Sequence, residues 1–245
     1  MSVDSADVLP TTWPFTMEPV RQLATDGLDF DRPLTFLVGE NGSGKSTVIE
    51  AIAGVAGISS HGGKAGTKYA SAGVSTPLGE VLRPELTRAG AGLIGGPRLK
   101  RRGFFLRAET LFDLGRNVSG WPGFWDQDLT EQSHGEGFMT VFDAMLREPG
   151  LYLMDEPEAA LSFTSCLTLV ALMHDLTRTG SQIICATHSP ILAATPDADI
   201  VEVGDHGIRH TTWGDLQLVD HWRRFMHDPQ TYLRHIVSRA TTAGA

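Results

Sequence analysis

Long apolar runs are missing from this 245-residue chain. No stretch reaches the ~18 apolar residues that a membrane-spanning helix needs, so direct insertion into a membrane is not expected. The first residues, MSVDSADVLPTTWPF, carry acids where a leader would be basic, and no apolar stretch follows. They do not read as a signal peptide. Cysteine is scarce, with only Cys166 and Cys185. A reduced, cytoplasmic protein is the expectation, with Cys185 in QIICAT as a buried strand residue. Positive charge is short too. Twenty Lys and Arg against 29 Asp and Glu leave a formal net charge of −9, which argues against broad affinity for nucleic acid. One local exception is Arg98, Lys100, Arg101 and Arg102 in PRLKRRGFF. It reads first as a solvated loop or strand end and second as a phosphate or partner contact, and DNA as a partner rests on it alone. No internal repeat and no sustained heptads occur. What remains is an ordinary globular composition, 41% apolar and 20% charged, at a length that suits one large α/β domain or one with a small inserted lobe.

Residues 34–38, LTFLV, form a short apolar run that ends in a glycine-rich turn, which predicts a buried strand feeding a loop. KSTVIEAIAGVA (45–56) then predicts a helix with Val48, Ile49 and Ile52 on one face. Residues 54–96 hold eleven glycines and little periodicity, and read as loops and short strands. GFFLRAETLFDL (103–114) returns to strand-then-helix texture. EGFMTVFDAMLRE has Phe138, Val141, Phe142 and Met145 at helical spacing. LYLMDE (151–156) and QIICAT (182–187) read as buried strands, with a helix over 162–178 between them. IVEVG (200–204) and GIRHTTW (207–213) suggest a β-hairpin around Asp205-His206, followed by a helical tail that Pro229 breaks in two. Alternating strands and helices imply an α/β fold: a mostly parallel sheet flanked by helices.

Four motifs carry chemistry. Gly39-Glu40-Asn41-Gly42-Ser43-Gly44-Lys45-Ser46, followed by Thr47, matches the phosphate-loop pattern GxxxxGK[ST] in full. Its glycines let backbone N–H groups turn inward around phosphate, and the helix start adds partial positive charge. Lys45 would reach the β- and γ-phosphates, and Ser46 would bind Mg²⁺. The plain alternative, a glycine-rich turn, does not account for the flanking strand and helix. At the end of LYLMDE, Asp155 would hold the Mg²⁺ shell and Glu156 would take a proton from the attacking water. In ATHSP (186–190), His188 stands at a strand end where it could sense the γ-phosphate, although a lone histidine is more often a packing residue. In QSHGEG (132–137), Ser133 reads as an N-cap with Glu136 as its capping-box partner. A serine with a close glycine at a helix start also makes an anion site, redundant within one subunit.

The order GENGSGKST, SHGEG, LYLMDEPEAALS, ATHSP resembles the ATP-binding-cassette ATPases. More narrowly it resembles the head domains of the RecF and SMC group and their small single-domain bacterial relatives of the AAA family. The resemblance implies a P-loop NTPase fold with small β and helical lobes, formed as one domain over 1–245 with a flexible inserted lobe at about 57–100. It implies ATP and Mg²⁺ as ligands and a homodimer that sandwiches two ATPs. It matches Ser133 and Gly135 to the signature loop, with His134 where a glycine is expected and Glu136 in place of glutamine. It matches AALS (159–162) to the D-loop, with Ser162 where transporters carry Asp, and makes Glu109 the nearest counterpart of the Q-loop glutamine on Mg²⁺. An adenine-stacking group would precede the first loop, with Trp13, Phe15 and Arg21 all open. Only about 85 residues separate the first loop from the signature, so the chain reads as a bare head without long arms.

The leading functional expectation is therefore an ATP-driven dimerisation switch in DNA repair or a defence-type complex, with an unknown partner protein. The alternative is the ATP-binding subunit of a membrane transporter. EPEAALS and THSP favour the first, since transporters typically show EPTSALD and THD. A small-molecule P-loop kinase would need neither Glu156, SHGEG nor His188. A scaffold without turnover would not need Lys45, Ser46, Asp155, Glu156 and His188 together.

Overall fold

The computed structural model describes residues 2–3, 9–60, 63–64, 76–94, 103–107, 142, 146 and 148–242. Its strands are β1 (Ser2–Val3), β2 (Leu34–Val38), β3 (Gly63–Lys64), β4 (Leu82–Arg83), β5 (Gly103–Arg107), β6 (Leu151–Asp155), β7 (Gln182–Thr187), β8 (Asp199–Gly204) and β9 (Gly207–Thr211). Its helices are α1 (Glu18–Asp26), α2 (Lys45–Val55), α3 (Pro77–Val81), α4 (Arg88–Ile94), α5 (Phe163–Thr177), α6 (Gln217–His227) and α7 (Gln230–Thr242).

The apolar runs LTFLV and LYLMD show no polar alternation because both faces of β2 and β6 are covered, and every residue in them is buried. Among the described residues they lie inside a seven-stranded sheet of order β3-β5-β6-β7-β2-β8-β9. The inner neighbours are parallel, and only the two edge strands run antiparallel. Successive side chains alternate between two cores. Leu37, Leu153, Ile184 and Val201 pack with Val20 and Leu23 of α1 and Val48, Ile49 and Ile52 of α2. Phe36, Tyr152, Met154 and Cys185 pack on the other face with Cys166, Leu169 and Met173 of α5 and Val219 of α6. The result is the α/β sandwich expected for a P-loop NTPase.

Parallel order places the C-terminal ends of β2, β6 and β7 side by side. The register sets Val38 beside Thr187 and Asp155 beside Ala186. These are the ends where loops gather functional side chains in open α/β sheets.

The glycine-rich stretch holds the short strands expected of it, β3 and β4, but helices as well. Among its described residues α3 and α4 are helical. Helix α3 owes its five residues to a cap rather than to periodicity: Thr76 Oγ1 accepts from Gly79 N at 3.1 Å and Pro77 stands at the first turn. Leu78 anchors it in the core. Both cysteines are buried and free. The basic cluster Arg98, Lys100, Arg101 and Arg102, the signature-like Ser133 and Gly135, and Glu109 all lie outside the described residues. So does most of the helix expected around EGFMTVFDAMLRE, although Phe142 and Leu146 from it are buried. No helix among the described residues is long and apolar enough to cross a membrane.

Candidate functional site

The turn between β2 and α2 needs two left-handed residues, and glycine stands at both: Gly42 with φ 83° and Gly44 with φ 98°. Gly44 caps α2, so Lys45 is the first helical residue and its side chain folds back under the loop. Lys45 is 3% exposed, and its Nζ donates to the carbonyls of Gly39 and Glu40, each at 2.8 Å. Burial lowers its basicity, against the opposing pull of Glu156, Asp155, Glu158 and Glu40.

Ser46, next along α2, donates from Oγ to Asp155 Oδ1 at 3.0 Å, joining positions 109 residues apart. Asp155 ends β6, is buried, and has its pKa pushed up to about 6 by that burial, although the Ser46 bond and the charge of Arg107 work the other way. Arg107, opposite Asp155 in register, also pairs with Glu50 at 2.7 Å. Glu156 follows in the left-handed region at φ 51°, which is unfavourable for a side chain with a Cβ, and its N–H donates to Ala186 O at 2.9 Å. The carboxylate is thereby turned off the strand line, and its Oε1 lies 3.5 Å from His188 Nδ1.

Two clefts flank the loop. The smaller, about 310 Å³, is lined by Trp13, Met17, Asn41, Gly42, Gly44, Lys45, Ser46, Thr47 and Glu156. The larger, about 1000 Å³, lies on the far side of Gly39–Ser43, toward Glu202–His206 and α6. Of these two clefts only the smaller is lined by Lys45, Ser46 and Glu156, which makes it the candidate site. Of the three residues left open for adenine, only Trp13 lines it, at 64% exposed. Phe15 is core, and Arg21 pairs with Glu18 at 3.4 Å.

The residues fit a Mg²⁺-bound triphosphate. Ser43 Oγ is buried in the loop with no partner among the described residues. A Cβ on Gly39 would come 2.1 Å from Val203 O, so the loop cannot be built with a bulkier residue there. Ser46 and Asp155 bring a hydroxyl and a carboxylate together, the hard oxygen donors that Mg²⁺ takes.

One residue escaped the sequence reading. Glu158 is 8% exposed, and its Oε1 accepts from Thr187 Oγ1 and, at 2.9 Å, from His188 N. The signal was present in EPEAALS, where a second acid stands in place of the threonine of EPTSALD. Ser162, matched to the D-loop, is the N-cap of α5 and accepts from Ser165 N at 3.2 Å.

The chain is similar to several known proteins. An AAA-domain family model matches residues 16–77, and a second AAA-domain model, whose description adds "AbiEii toxin, Type IV TA system", matches residues 129–194. The chain is 33% identical over 157 residues to the aliphatic sulfonates import ATP-binding protein SsuB of Mycobacterium avium, covering 62% of this chain and 59% of that one. Among solved structures, the SMC head domain from Thermotoga maritima aligns at 18% identity with a TM-score of 0.41, over 75% of this chain and 90% of that one. The aliphatic sulfonates import ATP-binding protein SsuB 2 of Rhodococcus jostii is 31% identical over 188 residues, 74% of this chain and 72% of that protein. With that extent of likeness and a complete phosphate loop facing Asp155 and Glu156, the chain belongs to the ABC-type P-loop ATPases.

Proposed function

We propose that Mg–ATP binds in the cleft between Trp13, the 39–47 loop and Glu156, that this binding closes a homodimer whose sites are completed in trans, and that hydrolysis opens it. The observation that carries this reading is the 3.0 Å contact between Ser46 Oγ and Asp155 Oδ1. It places a hydroxyl from a helix start against a buried carboxylate, beside a cradle of backbone N–H groups. When bound, Mg²⁺ would neutralise charge on the β- and γ-phosphates.

Asn41, Gly42, Ser43, Gly44 and Thr47 form the cradle, and Lys45 adds the positive charge. Ser46 and Asp155 would hold the cation, with Glu109 as a further donor. Glu156 takes the proton from the attacking water, and His188 steadies that water from the end of β7. Trp13 stacks on the base. Ser133 and Gly135 cap the γ-phosphate of the neighbouring subunit.

An exposed apolar surface beside the D-loop-like stretch supports the dimer. Phe163 and Leu167, one turn apart on α5, are 67% and 48% exposed directly after Ser162. Glu156→Gln should keep ATP affinity, lose the base and leave a closed dimer, read by size-exclusion chromatography with light scattering. A mixture of Lys45→Ala and Ser133→Arg chains should recover part of the phosphate release that neither shows alone. If Glu156→Gln stays monomeric in saturating Mg–ATP and the mixture recovers nothing, the trans arrangement is wrong.

The switch would serve a partner protein in DNA repair or a defence-type complex. A second reading, the ATP-binding subunit of a membrane importer, is favoured by the likeness to import ATP-binding proteins. Recovery of a membrane permease with the chain from its native host would establish the second; recovery of a DNA-processing enzyme or toxin-like effector would establish the first.

A further inference from the structure

The roles above leave a buried acid beside the site, Glu158, without a task. Glu158 sits beneath His188, and its side chain is 6% exposed. Its Oε1 holds the segment after β7 twice, through Thr187 Oγ1 and through the His188 backbone N–H at 2.9 Å. The same oxygen lies 3.5 Å from His188 Nδ1, and the other oxygen, Oε2, is buried with no partner among the described residues. A neutral acceptor could take the two bonds that hold the segment. Burying a carboxylate with one bare oxygen is costly, and needs something that only a strong acceptor provides.

Two carboxylates therefore compete for one imidazole nitrogen, since Glu156 Oε1 is also 3.5 Å from Nδ1. They differ in freedom. Glu158 is fixed by Thr187 and by the backbone of His188, whereas the Glu156 side chain is 29% exposed and lines the cleft. A histidine whose Nδ1–H is taken by one fixed partner presents Nε2 to the reacting side in a set tautomer, a division of labour general to oriented histidines.

We infer that Glu158 is a positioning residue for ATP hydrolysis: it holds His188 in the Nδ1-protonated tautomer and leaves Glu156 free to act as the base. This rests on the assignment of the cleft as the ATP site. The threonine of EPTSALD would offer a hydroxyl but no charge at this position, so this chain fixes its histidine through a carboxylate.

The test begins without nucleotide. In ¹⁵N-labelled protein in alkaline buffer, ring-nitrogen shifts should report His188 as the Nδ1–H form in the wild type and shift toward Nε2–H in Glu158→Gln. Glutamine keeps the acceptor for Thr187 and His188 N and removes a buried charge, so the fold should survive. In turnover, Glu158→Gln should lower kcat about tenfold or more with KM for ATP within about twofold, as expected for a group acting only on the chemical step. Glu158→Asp, which restores charge, should recover part of that loss. An Nε2–H or mixed tautomer in the wild type overturns the inference, and so does an unchanged kcat in Glu158→Gln. Undiminished hydrolysis by Glu156→Gln would instead discredit the site assignment, and the nucleotide-free tautomer is read independently of it.

Discussion

Gly39 and Val203 approach so closely that a methyl group on Gly39 would lie 2.1 Å from the Val203 carbonyl oxygen. The phosphate loop is thus pressed against the end of β8. Gly39→Ala should cost about 1–3 kcal/mol of stability by overpacking against backbone that cannot rotate away. It should weaken ATP binding as well, because the loop must move. Gly42→Ala meets nothing within 4 Å, but strains a residue at φ 83° and should cost about 1–2 kcal/mol. Urea denaturation with a fluorescent ATP analogue separates the two. Equal ATP affinity in wild type and Gly39→Ala would contradict the steric argument.

Asp155 makes stability depend on pH. Its folded pKa, about 6, lies above the ordinary carboxylate value because of burial. The stability this group contributes is therefore fully present below its unfolded value and is lost as pH rises through about 6. Two units amount to roughly 3 kcal/mol of cost at pH 8. Asp155→Asn keeps a partner for Ser46 and removes the charge. It should melt higher than wild type at about pH 8 and close to wild type at about pH 4, while losing Mg-dependent hydrolysis. Added Mg²⁺ should raise the melting temperature of the wild type at the higher pH and not that of the variant. Calorimetric melting across pH, with and without Mg²⁺, reads all of these.

Lys45 is held between two carbonyls and buried, so its own folding contribution is nearly balanced by desolvation. Lys45→Ala should therefore change stability little. Loss of a charge-assisted phosphate contact, worth about 1.5–3 kcal/mol, should weaken ATP roughly tenfold or more. Titration calorimetry checks the affinity, and undiminished binding would refute the assignment of the loop.

Trp13 should distinguish base from phosphate. Stacking of a base on an aromatic ring is worth about 1–3 kcal/mol, so Trp13→Ala should weaken ATP about tenfold and leave inorganic triphosphate nearly unchanged. Trp13→Phe should retain most of the ATP affinity while losing the change in tryptophan fluorescence that stacking on Trp13 should produce. Parallel losses for ATP and triphosphate would place the base elsewhere.

Much of the candidate site was legible in the chain because its signals are local. The phosphate loop depends on glycine at two left-handed positions and on a lysine at the first turn of the next helix, all within nine residues. LTFLV, LYLMD and QIICAT read as strands because burial on both faces removes any need for polar alternation. Asp155 and Glu156 could be placed at a strand end because the acids interrupt an apolar run.

The rest depends on contacts distant in sequence. Periodicity does not specify that β6, β7 and β2 are neighbours, yet only this order brings Ser46 to Asp155 and Glu158 to His188. Nor could local pattern choose Trp13 over Phe15, since both are aromatic; the fold buries one and leaves the other at the cleft. The chain by itself determined the phosphate loop, the buried strands and the acids that end one of them, because those follow from backbone conformation and burial within a few residues. Tertiary structure alone decided which acid faces which partner, because that follows from sheet order and side-chain packing, where residues far apart in the chain share one low-dielectric site.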